Sequence, residues 1–264
     1  MLRFTSLGSG SSGNATLVEC PAHGASPATR VLVDCGLPLR QLEGRLASRG
    51  LAASDIDAVF VTHEHSDHVG GVLALQRRHG IPVWASVGTW AQATATAKAK
   101  DPHAWEIARD GEPITIGSLT LHPFAVPHDA AEPLQLTCSN GHHRIGIVTD
   151  IGEPTEAIAR ALEGCDALLL ETNHDAVMLA ASNYPAWLKR RIGGPRGHLA
   201  NAQSAALLDA CRHGGLQHVV AAHLSQQNNR PDLALSSLRN VLGHAATRLC
   251  TADAAAGCGW IEIH

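Results

Sequence analysis

Four residues in one short segment, His63, His65, Asp67 and His68, have the types and spacing of metal ligands. They fall in AVFVTHEHSDHVGG, directly after an apolar run and ahead of two glycines that open a helix. A chain that leaves a strand and turns tightly aims several nitrogen and oxygen donors into one small volume, as a divalent cation requires. Alternation gives His63 and His65 a common direction and leaves Asp67 and His68 to address a second ion. The plainer alternative is a solvated histidine-rich loop.

Three further polar residues close apolar runs: His128 after LHPFAVP, Asp150 after IGIVT and His223 after VVAA. Buried groups of this kind need a hydrogen bond or a metal. Each one alone is equally a satisfied core or turn residue. ALLLETNHD sets Glu171 and His174 behind another apolar run, and GHLANAQSA sets His198 just ahead of a helix for which Asn201 reads as N-cap. An imidazole supported by a carboxylate near a helix N-terminus suits holding a phosphate and protonating a leaving oxygen. Lys189, Arg190, Arg191 and Arg196 precede His198 and place positive charge where a polyanion would approach; a solvated basic helix explains them as well. The loop Gly8–Asn14 reads as a turn at the cleft rim, where backbone N–H groups, Ser11 and Asn14 could meet phosphate, or as an ordinary strand connection.

The elements that must position these residues are short Val-, Ile- and Leu-rich runs with helices between some of them. Strands are expected at Leu2–Leu7, Thr16–Cys20, Arg30–Val33, Ala58–Val61, Pro82–Ala85, Leu119–Val126, Leu134–Cys138, Arg144–Val148, Ala167–Leu170, His218–Ala222 and Gly259–Ile263. Helices are expected near 37–48, 69–79, 88–100, 153–163, 201–212 and 231–242, the last with Pro231 in its first turn. Segregated strands and helices give an α/β class: two mixed β-sheets flanked by helices in a four-layer αββα sandwich, with residues 1–264 as a single domain. Periodicity alone is equally compatible with three layers.

Composition bounds the function. A hydrophobic fraction of 45% with 17% charged residues is that of a globular chain, and 3% aromatic residues leave aliphatic side chains to fill the interior. A formal net charge of −4 argues against non-specific coating of nucleic acid, so any such contact is local. Seven scattered cysteines without a CxxC pair fit a reducing cytosol. No run approaches a membrane span and no leader pattern opens the chain, which places the protein in the cytoplasm.

Taken in order, THEHSDH, His128, Asp150 and His223, with Asp34 closing the early run VLVDCG, resemble the motif set of the metallo-β-lactamase superfamily over nearly the whole chain. The resemblance implies that His63, His65 and His128 hold one ion, that Asp67, His68 and His223 hold a second, and that Asp150 bridges them. It also gives Asp34 the task of orienting the ligand loop by hydrogen bonds. Two cations held close together lower the pKa of a bridging water to give a hydroxide nucleophile, and they stabilise charge on attacking and leaving oxygens. Zn²⁺ or Mn²⁺ suits such nitrogen and oxygen donors, and Fe²⁺ is also compatible. His65 stands where the oxygen-reducing diiron branch carries a glutamate, which disfavours redox chemistry.

Within the superfamily, HLSQQNN, which contains Ser225 and Asn228, resembles a motif of the phosphodiesterase branch typified by tRNase Z. That branch also pairs a glutamate with a histidine outside the metal shell. The combination of LGSGSSGN, ETNHD, YPAWLKRRI, GHLAN and AHLSQQNN is most similar to the YycJ/WalJ-like branch, whose members are regarded as metal-dependent DNA exonucleases. Thr172 and Ala200 depart from it, standing where serines are usual, and this puts hydroxyl contacts at both positions in question. The resemblance implies a phosphodiesterase acting on nucleic acid, DNA in preference to RNA, as a 5′-to-3′ exonuclease. Asp67, His198 and Glu171 would be catalytic, and Ser11, Asn14, His174, Lys189, Arg191, Arg196, Ser225 and Asn228 would bind substrate. A protruding arm of the tRNase Z type is lacking, and the segment from Asp150 to His223 is too short for an inserted β-CASP domain. A glyoxalase-II-like thioesterase is the alternative with different chemistry, and a non-catalytic nucleic-acid-binding or metal-sensing module the alternative without any.

Overall fold

In the computed structural model, which describes residues 1–22, 24, 27–97 and 105–264, the strand Thr29–Val33 buries Val31 and Val33 on one face and Leu32 on the other. Ala167–Glu171 likewise sends Leu169 one way and Leu168 and Leu170 the other. Strands covered on both faces read as unbroken apolar runs, and that explains their appearance in the sequence.

Among the described residues fourteen strands follow in chain order: β1 (Leu2–Gly8), β2 (Ala15–Cys20), β3 (Thr29–Val33), β4 (Ala58–Phe60), β5 (Val83–Ala85), β6 (Glu106–Ile107), β7 (Ile114–Ile116), β8 (Leu119–Ala125), β9 (Leu134–Ser139), β10 (Arg144–Val148), β11 (Ala167–Glu171), β12 (His218–Ala222), β13 (Arg248–Thr251) and β14 (Ile261–Ile263). They form two sheets of seven, ordered β14-β1-β2-β3-β4-β5-β6 and β13-β12-β11-β10-β9-β8-β7. In each sheet one half is antiparallel and the other parallel: β3 to β6 in the first, β10 to β13 in the second. β14 pairs antiparallel with β1, Leu2 lying opposite Ile263.

The helices are α1 (Leu39–Ala47), α2 (Ser66–Val69), α3 (Val72–His79), α4 (Val87–Ala97), α5 (Glu156–Leu162), α6 (Ala176–Ala181), α7 (Ala186–Ile192), α8 (Asn201–Cys211) and α9 (Pro231–Leu242). Three apolar layers hold the molecule together. Phe4, Val31, Val33 and Phe60 of the first sheet meet Leu121, Leu136, Ile147 and Val220 of the second between the sheets. Leu42, Leu46, Val72 and Leu75 of α1 and α3 pack on the outer face of the first sheet. Ile158, Leu162, Leu207, Leu208 and Leu238 of α5, α8 and α9 cover the second. This is the four-layer arrangement, and it excludes the three-layer one.

All eleven expected strands are present. The three not anticipated are short and lie at or near sheet margins: β6, β7 and β13, the last exposing Arg248. The helix expected over 69–79 is broken into α2 and α3 at Gly70–Gly71. Close approach demands the break, since the Cys35–Leu37 loop runs against it and the Gly71 N–H donates to the Cys35 carbonyl at 2.7 Å. A Cβ on Gly36 would overlap the Asp67 carbonyl. The helix expected at 88–100 runs as α4 to Ala97, and its last three expected residues lie outside the described ones. All seven cysteines are free thiols. Among the described residues no helix is long and apolar enough to cross a membrane.

Candidate metal centre

Parallel strands share a direction, so the carboxyl ends of β3 and β4 in one sheet and of β10, β11 and β12 in the other supply one cluster of polar side chains. Three of the residues that leave these strands are non-glycine residues in left-handed backbone: Asp34 (φ 62°), Asp150 (φ 58°) and His223 (φ 54°). That conformation costs about 1–2 kcal/mol per residue, and here it turns three strand exits towards the same volume.

Asp34 organises the loop. Its Oδ1 accepts from the Thr62 amide at 2.8 Å, the Thr62 hydroxyl donates to its Oδ2 at 2.9 Å, and the same Oδ2 lies 2.8 Å from His68 Nδ1. Since the Thr62 hydrogen is given to Asp34, its oxygen accepts from His63 Nδ1 at 3.0 Å. His128 Nδ1 donates to the Gly197 carbonyl at 3.0 Å. These bonds fix tautomers, leaving the Nε2 lone pairs of His63 and His128 free and turning His68 Nε2 towards Asp150 and the Asn14 amide.

The freed nitrogens converge. His65 Nδ1 is 3.1 Å from His63 Nε2 and 3.3 Å from His128 Nε2. Lone pairs this close repel unless a cation or a proton is shared. Burial, then the neighbouring His68, pushes the His63 imidazole well below its usual pKa, which keeps it neutral and fit to ligate. A second trio holds Asp67 Oδ2 3.6 Å from both His68 Nε2 and His223 Nε2.

Asp150 stands between the trios and belongs to a possible ligand group with His63 and His68 and to another with His223. Its Oδ2 is 2.8 Å from His68 Nε2 but makes no hydrogen bond, and His223 Nε2 is likewise buried without a partner. Two orphaned donor atoms beside a third ligand are what a cation site presents when its atoms point at a common centre. The donor set of histidine nitrogens and carboxylate oxygens fits a divalent metal. Burial raises the Asp150 pKa, but His223 and His68 outweigh it and hold the carboxylate ionised.

Beside the trios lies a further group that could hold an ion, Asp150, Glu171, His198 and His223, and within it Glu171 and His198 form a hydrogen-bonded pair. Glu171, at the end of β11, is fully buried; its Oε1 lies 2.8 Å from His198 Nδ1 and its Oε2 accepts from the Ile151 amide at 2.8 Å. Burial pushes the His198 imidazolium down, yet Glu171 and Asp150 raise it to about 10. Glu171, lifted by burial, is brought to about 2 by His198 and His223. The His198 ring stacks on His223 at 5.3 Å and remains 23% exposed, so it reaches the solvent side of the cluster.

Comparison with known proteins gives this geometry a family. The "Beta-lactamase superfamily domain" model matches residues 29–224. Exodeoxyribonuclease YycJ of Bacillus anthracis is 33% identical over 241 residues, covering 91% of this chain and 89% of the relative. Exodeoxyribonuclease WalJ of Streptococcus pneumoniae is 32% identical over 249 residues, covering 92% and 89%. The chain belongs to the metallo-β-lactamase superfamily, in its YycJ/WalJ branch. Its fold also matches the crystal structure of the metallo-β-lactamase fold protein YhfI from Bacillus subtilis, with a TM-score of 0.74 at 18% identity, covering 99% of this chain and all of that one.

Around the metallo-β-lactamase site, the residues expected to touch substrate divide. Ser11 and Ser225 are on accessible loops, but Asn14 is buried and used internally: its Oδ1 accepts from the Gly10 amide at 2.7 Å and its Nδ2 lies 3.0 Å from His68 Nε2. His174 and Asn228 are at 3% and 1% exposure; the His174 backbone bridges to Ala200 ahead of α8, and the Asn228 carbonyl accepts from the Asp175 amide at 2.8 Å. Asn201 is not the N-cap of α8. Ala200 takes that place, and the Asn201 amide pairs with Asn229 inside.

The basic cluster is also largely engaged. Lys189 Nζ donates to the Ala180 carbonyl at 2.6 Å, Arg191 pairs with Asp129 at 2.6 Å, and Arg196 donates twice to the His128 carbonyl at 2.9 and 3.0 Å. Arg191 and Arg196 therefore brace the His128 loop. Sequence reasoning missed Thr62, Asp129, Asn173, which donates to the His223 carbonyl at 2.8 Å, and Ser9, whose hydroxyl accepts from the His223 amide at 2.7 Å. The available signal was adjacency: Thr62 precedes the ligand motif within an apolar run, and Asp129 follows His128.

Proposed function

We propose that the chain is a metal-dependent phosphodiesterase acting on nucleic acid, a DNA exonuclease of 5′-to-3′ polarity that works in the cytoplasm as one unit over residues 1–264. The observation that carries this reading is the Glu171–His198 pair, 2.8 Å apart and set beside both ligand trios. The exodeoxyribonuclease names of the two relatives support it. His63, His65 and His128 would hold one divalent ion, Asp67, His68 and His223 a second, with Asp150 between them; Zn²⁺, Mn²⁺ and Fe²⁺ all suit these donors. Bound there, such ions bring the pKa of water towards neutrality and offset the charge of a phosphoryl group.

The chain's own groups account for the rest. His198, which Glu171 and Asp150 hold protonated in the metal-free chain, would supply the proton that a leaving alkoxide needs, and Glu171 holds its ring through Nδ1. Arg196 and Arg191 fix the His128 loop, and Asp34 with Thr62 fixes the ring orientations on the opposite side.

The test is hydrolysis of end-labelled single- and double-stranded DNA and RNA with each metal supplied in turn, beside S-lactoylglutathione. Progressive shortening of DNA from the 5′ end, abolished by a chelator, is the expected result. Thioester turnover without any phosphodiester cleavage would overturn the assignment.

A further inference from the structure

The two loops nearest the second ligand trio flank an open pocket of about 180 Å³, whose lining includes Ser11, Ser12, Tyr184, Ser225, Gln226 and Gln227. None of these side chains is charged. The walls are hydroxyls and amides, with one aromatic ring, from the only tyrosine in the chain.

Both loops are fastened to metal-ligand residues. Ser9 holds the His223 amide, the Asn14 amide donates to the Asp67 carbonyl at 2.7 Å, and the Gly13 N–H closes a turn on the Gly10 carbonyl at 2.9 Å. Gly10 and Gly13 stand at φ 131° and 137°, a backbone open to glycine. On the far loop the Ser225 hydroxyl accepts from the Asn228 amide at 3.1 Å, closing a turn two residues beyond His223. Among the described residues, the N–H groups of Ser11, Ser12, Gln226 and Gln227 find no protein acceptor. Consecutive free N–H groups on tight turns are an anion-binding feature, and an aromatic ring beside them is a stacking surface for a base.

We propose that this pocket takes the terminal nucleotide of a single strand, with its base against Tyr184 and its phosphate on the two loops. The inference rests on the phosphodiesterase reading and deepens it. On the exonuclease reading the occupant is a strand end, and the tether of the two loops to Asp67 and His223 sets a fixed span from it to the metal centre. Cleavage then counts from the terminus.

The test compares binding of deoxyadenosine 5′-monophosphate and 2-deoxyribose 5-phosphate to the metal-loaded protein by calorimetry. Hydrolysis of bis-p-nitrophenyl phosphate and cleavage of linear and circular single-stranded DNA are measured alongside. Both small ligands can reach the metals through phosphate, so the difference between them reports the base. The wild type should bind the nucleotide about 10-fold more tightly. Tyr184→Ala should abolish that preference with metal content, melting temperature and bis-p-nitrophenyl phosphate turnover unchanged, and Ser11→Asp should weaken both ligands. Linear DNA should be cut and circular DNA spared. Equal binding of the two ligands by the wild type, an unaltered preference in Tyr184→Ala, or equal cleavage of circles would overturn the pocket assignment. Base-dependent binding without hydrolysis of any phosphodiester would uphold the pocket and sink the functional reading instead.

Discussion

His198 is the residue on which the proposed chemistry turns. His198→Ala should keep its metals and fold and lose roughly 10²–10⁴-fold in rate on DNA, with a much smaller loss on a nitrophenyl ester, whose leaving group departs without a proton. Loss of metal in that variant would make the histidine structural. Glu171→Gln should give a milder form of the same pattern. The pair also sets a pH window. Glu171 is held at about 2 against an ordinary 4.5, so its contribution to stability is present above 4.5 and lost as pH falls towards 2. His198 is held at about 10 against 6.5, so its contribution is present below 6.5 and lost as pH rises through 10. Metal-free protein should therefore resist urea best between about pH 4.5 and 6.5. Glu171→Gln should flatten both limbs of that profile, and an unchanged profile would show that the pair does not matter to folding. At this scale the sequence was most informative about His63, His65, Asp67 and His68, because their spacing is local. It said least about His174 and Asn228, because burial is decided by what packs over a residue.

The elements contribute through their ends. Strand exits at Asp34, Asp150 and His223 carry ligands or their supports, and the loops between them are held by hydrogen bonds that no periodicity reveals. Arg196 illustrates this. Its place in a row of cations points to a nucleic-acid contact, and its guanidinium also ties down the carbonyl of His128. Arg196→Ala should consequently impair bis-p-nitrophenyl phosphate and DNA alike, while Arg190→Ala, at an exposed position of α7, should impair DNA alone. Equal effects of the two on DNA with no loss on the small ester would return Arg196 to a substrate role. Gly36→Ala forces a methyl group into the Asp67 carbonyl and should lower both metal content and melting temperature. A variant with full metal content would show that the loop has room to shift. Long runs were legible because burial on both faces keeps them apolar; β6, β7 and β13 were not, being too short to establish a period.

Across the whole molecule, two sheets and two helical layers give the site its rigidity, and ligands come from both halves of the chain. Apolar patterning and strand count foreshadowed the layers, but the pairing order needed the structure, since nothing local says that β14 joins β1. Charge is a whole-molecule property too. With a net −4 and most of the basic cluster engaged in internal bonds, few cations remain for phosphates. The logarithm of DNA affinity should fall with that of salt at a slope of only about −1 to −2. A slope several times steeper would reveal an extended backbone track.

Because Leu2–Phe4 pair with Ile261–Ile263, the order of ribosomal synthesis matters. Leu2 leaves the ribosome long before Ile263, so β1 waits through most of translation with one edge bare. The candidate metal ligands, with Glu171 and His198, have all emerged once His223 is out. A nascent chain can thus gather its site residues while the sheet that carries the first of them is still open, and in that interval two chains on one polysome can pair along the exposed β1 edge.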